Sequence, residues 1–297
     1  DMHLYCDSAH YYDQINSIDA FGNVRMERAD NLSGRADQLH YDGRKEVMNL
    51  IGNVSITKDN RTLTSQAIDY YVPSNTGKYT SNGRLEDPKN VLTSIVGEYN
   101  FNTDNAVFTN NVDLVNSRDN YVIHTNKLLY NTRTNIAKLV EEAEITSDEN
   151  KIITSNGDYN TATEKANLYV KNGVQPKLFA KDDRTLEGDS IHYDRHTGEG
   201  TAIGNVTVND PKHHAILTGG YGYHNETTHV SYATDKALAR IYNKENAKTG
   251  ERSDTLFFHG DTITTIQEPD KNRVLTATGG VKFYRKDVQG ICGHLSF

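Results

Sequence analysis

Apolar and polar residues alternate along much of this chain, and the alternation restarts about every thirty residues. In residues 200–208, Gly200, Ala202, Gly204, Val206 and Val208 take one face, while Thr201, Ile203, Asn205 and Thr207 take the other. A period of two marks a half-buried strand. The same register recurs in Ile18, Ala20, Gly22, Val24 and Met26, and in Met48, Leu50, Gly52, Val54 and Ile56. Ala106, Phe108, Asn110, Val112 and Leu114 repeat it, as do Leu275, Ala277, Gly279, Val281 and Phe283. A one-residue slip would turn each set around, so their agreement identifies the inward face.

A second kind of strand precedes each of these. It reads apolar, small or polar two later, apolar or Gly three later, then Tyr: Leu63, Ser65, Ile68 and Tyr70, for example, or Ile123, Thr125, Leu128 and Tyr130. The three-residue step breaks strict alternation and predicts a bulge or corner. Asp/Asn-rich turns such as 131–135 and 225–228 separate the strands. The tripeptide Gly-Asn-Val occurs at residues 22, 52 and 204, with looser copies between and after. The aligned apolar positions are 24, 54, 85, 112, 145, 174, 206, 238 and 281. A repeat of this length implies a stack in which each unit buries its apolar face against its neighbours. Glycine inside a strand predicts a bend or a close approach of the opposite wall.

No stretch has a convincing helical period. Two architectures fit a two-strand unit, a parallel β-helix and an antiparallel stack folded into two facing walls. Long strands with tight turns at both ends favour the second, an all-β jelly roll opened along one side. Nine units make about eighteen strands in a single repetitive domain over residues 1–297. The apolar phase shifts between Val230 and Ile241. Residues 243–255 form a charged insertion, expected to be a surface loop.

Composition adds limits. Tyr occurs eighteen times and Trp is absent, in keeping with pleated, half-buried surfaces. Mean hydropathy is −0.71 and 35% of residues are hydrophobic, which suits a thin stack with much wetted surface. The net charge of −8 argues against nucleic acid as a partner. No apolar run approaches the length of a membrane-spanning helix. The chain is expected to lack a targeting segment removed in processing, and to continue, because residues 290–297 resemble the opening residues 4–11. Cys6 and Cys292 sit at matching repeat positions, which predicts two free, inward packing residues.

The segments Ala20–Met26, Leu32–Asp42, Leu50–Ile56 and Ala202–Val208 resemble the OstA-like family of periplasmic lipopolysaccharide-transport proteins, which includes LptA. The likeness extends as tandem copies over almost the whole chain, with more units than small LptA proteins have. It implies an elongated, open antiparallel β-jelly roll that is not an enzyme and needs no cofactor or metal. The implied ligand is lipopolysaccharide or a related amphiphile, bound through its lipid A acyl chains. Other implied partners are further jelly-roll transport proteins or a second copy of the chain, joined at strand edges. The implied location is the periplasm, with outer-membrane association. On this reading Ile18, Ala20, Val24, Met26, Met48, Leu50, Val54, Ile56, Phe108, Val112, Leu114, Ala202, Val206, Val208, Val281 and Phe283 line the groove.

Physics supports parts of this reading independently. An open stack exposes an unpaired strand at each end, ready to pair with another chain. Burial of acyl chains is favourable by about 0.8 kcal/mol per methylene. The inward residues alone leave open whether they line a groove or form a dry core. Other chemistry is weaker. Gly188-Asp189-Ser190-Ile191 resembles a hydrolase block, yet other units place unrelated residues in the same slots. No nucleophile elbow, zinc-protease or phosphate-loop motif is present. His213-His214 and the acidic group Asp182, Asp183, Glu187 and Asp189 are candidate metal ligands that also read as turn residues. The Tyr series 41, 70, 99, 130, 159 and 193 reads as a structural column or a carbohydrate-stacking ladder. A carbohydrate-active β-helix enzyme and a structural or adhesion module remain the alternatives.

Overall fold

The computed structural model describes residues 2–116, 118–148, 150–180, 183–242, 244–245, 252–267 and 273–296. The chain divides into two compact units, Asp1–Asp148 and Glu149–Phe297. Both are all-β and antiparallel. The one helical segment among the described residues is a single 3-10 turn, Asp13–Ile15. Among the described residues, no helix is long and apolar enough to cross a membrane.

In the first unit, Ser17–Arg28 pairs with Leu32–Asp42, which pairs with Val47–Lys58, which pairs with Arg61–Tyr71. The next layers are split. Thr76–Tyr79 and Gly83–Glu86 pair with opposite halves of Arg61–Tyr71. Val91–Ser94 and Val96–Asn100 pair likewise with Asn105–Asn116, which pairs onward with Tyr121–Asn131. Each long strand thus gives one half to each of two walls, and the register shifts between the halves. The second unit repeats the scheme. Ser190–Asp194 and Thr185–Glu187 pair with the two halves of Glu199–Asp210. Ala215–Asn225, Val230–Ile241, Leu256–Gln267, Arg273–Arg285 and Val288–Ser296 follow in order.

The Gly-Asn of each Gly-Asn-Val makes the corner. Gly52 and Asn53 both have positive φ, 78° and 47°, and interrupt the pairing between Ile51 and Val54. Gly22-Asn23 and Gly204-Asn205 do the same. Two left-handed residues in succession reverse the alternation and turn the strand into the other wall. An aspartate of the neighbouring layer clasps each corner, Asp37 within a strand and Asp7 and Asp189 between two short ones. Asn53 Nδ2 donates to Asp37 Oδ2 at 2.9 Å, Asn23 to Asp7 at 2.9 Å, and Asn205 to Asp189 at 2.7 Å. Asp189 is the acid of the hydrolase-like block, and its work is in this corner. The phase shift in Val230–Ile241 has the same origin, with Asp235-Lys236 in place of Gly-Asn. A Cβ at Gly52 would overlap the Asp37 carboxylate. Gly52→Val therefore meets both a forbidden φ and a clash, and is expected to cost about 1–3 kcal/mol, read as a lower urea midpoint.

The first unit has a dense interior. Leu63, Tyr70, Tyr79, Tyr99, Phe101, Phe108 and Leu114 are all at most 2% exposed. A Cβ at Gly77 on one wall would lie 3.0 Å from Leu63 Cδ2 on the other, so the walls touch there. The Tyr79 ring is flanked by Gly83 and Gly97, where any side chain would overlap it. Its hydroxyl meets Ser94 Oγ at 2.7 Å. Burial raises the Tyr79 pKa from 10.0 to about 12, against the opposing Ser94 bond. Below pH 10 the phenol is neutral folded or unfolded, and its burial contributes fully. Above pH 10 the unfolded chain ionises first. Stability is therefore expected to fall by about 2 kcal/mol from this group between pH 10 and 12, and less in Tyr79→Phe. Urea titrations across that range check it.

Of the insertion expected at 243–255, Lys244–Glu245 and Arg252–Ser253 pair as two short strands. Residues 243 and 246–251 lie outside the described residues, as does Asp182 of the acidic group. Cys6 and Cys292 are free and half-buried, with Cys292 packed against the core around Phe258, Ile263 and Val281.

Candidate functional site

The Tyr column forms the edge at which the two walls' turns meet. Tyr70, Tyr99, Tyr130, Tyr159 and Tyr193 are buried, and Tyr41 is half-buried. Their rings do not form a continuous stack. Tyr70 and Tyr99 each pack against Phe101, at 6.4 and 4.8 Å.

In the first unit, polar bonds lace the turn ends of one wall to those of the other. Tyr70 donates to Asn75 and accepts from Arg28 Nη1 at 3.3 Å. Lys58 Nζ donates to the Phe101 carbonyl at 3.0 Å, and Arg61 Nη2 to the Thr132 carbonyl at 3.2 Å. Tyr130 donates to Asp87 Oδ2 at 2.8 Å and accepts from Asn90 Nδ2 at 2.9 Å. Tyr99 donates to Asp104 Oδ1 at 3.0 Å. Burial first, and then the Asp104 charge, push its pKa well above the usual phenol range.

In the second unit the space between the walls includes a cavity of about 660 Å³. Its apolar lining includes Leu178, Leu186, Ile191, Val208, Ile216, Leu217 and Ile241. The cavity exists because several inward positions carry little side chain. Gly200, Gly222, Ala215 and Ala239 line it, and in the matching register the first unit has Leu39, Ile68 and Leu128 in place of Gly222 and Met26, Ile56 and Leu114 in place of Ala239. The polar lining comes from the turn ends. Asp210 and His213 belong to one wall's turn, Glu226 and His229 to the other's. His213 Nδ1 lies 2.9 Å from Asp210. Tyr193 OH donates to Glu226 Oε1 at 3.2 Å, and Asn150 Nδ2 donates to the same oxygen at 3.1 Å. Burial and then the Glu226 charge raise the Tyr193 pKa, so the phenol stays a hydrogen-bond donor.

Val208 alone among the expected groove residues lines this cavity. Ala202 and Val206 are buried beside it in chain, Val281 lies in the adjoining core, and half-buried Phe283 packs on that core. The others lie in the first unit. Ala20, Val24, Met26, Leu50, Val54, Ile56, Phe108, Val112 and Leu114 are buried there, and Ile18 and Met48 half-buried. Sequence reasoning missed Ile216, Leu217, Glu226 and His229. The available signal was the run of small residues at inward positions after residue 199. Glu187 of the acidic group pairs with Lys177 at 2.6 Å. Among the described residues, no three His, Cys, Asp or Glu side chains converge on a possible metal position.

These features define a two-walled antiparallel β-repeat protein with an apolar internal cavity. Residues 1–121 match the family described as OstA-like protein. No curated protein matches the chain. A solved structure similar to part of it is LptH from Pseudomonas aeruginosa, described as the LptA homologous periplasmic component of the conserved lipopolysaccharide transport device. That similarity has 12% identity, covers 44% of this chain and 76% of LptH, and has a TM-score of 0.22.

Proposed function

We propose that this chain binds lipopolysaccharide through its acyl chains and takes part in moving it through the periplasm toward the outer membrane. The observation that carries the reading is the apolar cavity between the walls of the second unit. Its volume falls within the ~300–1,000 Å³ of ligand sites, and a few polar groups gathered at the turn ends suit an amphiphile. The OstA-like match over residues 1–121 supports the same reading. The function is binding, without catalysis or a cofactor. The groups in the cavity are held in structural pairs, such as Tyr193 with Glu226.

Strand edges offer a route to association. Among the described residues, Val288–Ser296 pairs on one side only, with Arg273–Arg285. A partner strand added there would need only backbone hydrogen bonds. Calorimetric titration tests the reading. Lipopolysaccharide is expected to bind, and its acyl-free core oligosaccharide is not. Equal binding of both, or binding of neither, would contradict it.

A further inference from the structure

The two units treat the space between their walls differently. In the first unit the walls touch at Gly77 and Leu63, large rings fill the interior, and side chains lace the turn ends together. In the second unit Gly200, Gly222 and Ala239 leave the cavity, residues from both walls' turns line it, and the bonds from Asn150 to Tyr193 and Glu226 cross between the walls beside it. We infer that the ligand site is confined to the second unit, that it takes one or two acyl chains at a time, and that they enter between the facing turns at Asp210–His213 and Glu226–His229. The first unit is a closed scaffold. The inference rests on the lipid-binding reading above and narrows it, from a groove shared by all repeats to one compartment.

Capacity follows from volume. A methylene needs about the room of a water molecule, ~30 Å³. A cavity of about 660 Å³ is on the scale of one long acyl chain or two short ones. A lipid with more chains would leave the rest outside. The chemistry of the mouth fits a head group with hydroxyl or amide donors. The carboxylates of Asp210 and Glu226 accept hydrogen bonds, and the Asp210–His213 and Tyr193–Glu226 pairs set the polar end of an otherwise apolar chamber.

The chain has no tryptophan, so one introduced residue reports its own surroundings without background. Leu186→Trp places the reporter in the cavity lining, and Phe108→Trp places it in the first unit's interior. Phe101→Trp is a second reporter there, should Phe108→Trp fail to fold. The probe is 9,10-dibromostearate, whose bromines quench indole fluorescence on contact. Equilibrium dialysis of the unmodified chain with the same probe gives the stoichiometry. The expected result is loss of most Leu186→Trp emission, unchanged emission from the first-unit reporter, and one probe molecule per chain, because stearate is a long chain. Quenching in the first unit, or a larger stoichiometry, overturns confinement and leaves the lipid-binding reading standing. Absence of binding in dialysis overturns both.

Discussion

Val54→Glu is expected to unfold the first unit. Val54 is 2% exposed, directly after the Gly52-Asn53 corner, and it is paired across to Ser65. It faces an interior already filled by Leu50, Ile56, Leu63 and Ile68, all at most 1% exposed. A carboxylate on this buried side chain is taken out of water among apolar neighbours. An uncompensated buried charge costs ~3–5 kcal/mol. Whole domains are stable by only ~5–15 kcal/mol. The expected result is loss of protease resistance confined to residues 1–148, with the second unit's peptides still protected. Acidification that protonates the new carboxyl should recover part of the resistance. A folded, protease-resistant variant would show that the walls around Val54 stand apart, and would remove the contrast between the units.

Leu217→Glu is expected to behave in the opposite way, keeping the fold and losing the ligand. Leu217 is half-buried and lines the cavity, so a carboxylate at this place can stay hydrated. Leu217 also packs on the core around Phe258 and Val281, so the variant gives up part of its apolar burial but leaves no unhydrated charge. An acyl chain entering the same space must strip that water and lie against the charge. Each tenfold loss of affinity corresponds to about 1.4 kcal/mol. Desolvating a charge exceeds this figure readily, so the affinity for lipopolysaccharide should fall by at least about tenfold. Ala239→Phe attacks the same site by volume. Calorimetric titration and near-ultraviolet circular dichroism on the same samples separate binding from folding. Undiminished binding by both variants would place the ligand elsewhere.

The strands, their period and the inward face were legible because two-residue alternation is repeated many times in one register. The corner was legible too, since Gly-Asn inside a strand has little other use. Its clasp was not recognised, although the signal was there. Asp7, Asp37 and Asp189 each lie 16 residues before the asparagine they hold. The partners come from adjacent layers, so the pairing shows only when copies are aligned. The difference between cavity and core was harder to read. Both units present apolar residues inward at the same positions. What separates them is side-chain volume, Leu39, Ile68 and Leu128 against Gly222, and Met26, Ile56 and Leu114 against Ala239. Whether such a difference leaves a void depends on how far the walls close, which small residues alone do not determine.

Amide hydrogen exchange, with and without lipopolysaccharide, tests the division of labour most directly. Added protection is expected in Ala215–Asn225 and Val230–Ile241, the strands along the cavity, while Asn105–Asn116 in the first unit exchanges as before. Protection spread evenly over both units, or gained only in the first, would contradict a filled scaffold joined to a single lipid-holding compartment.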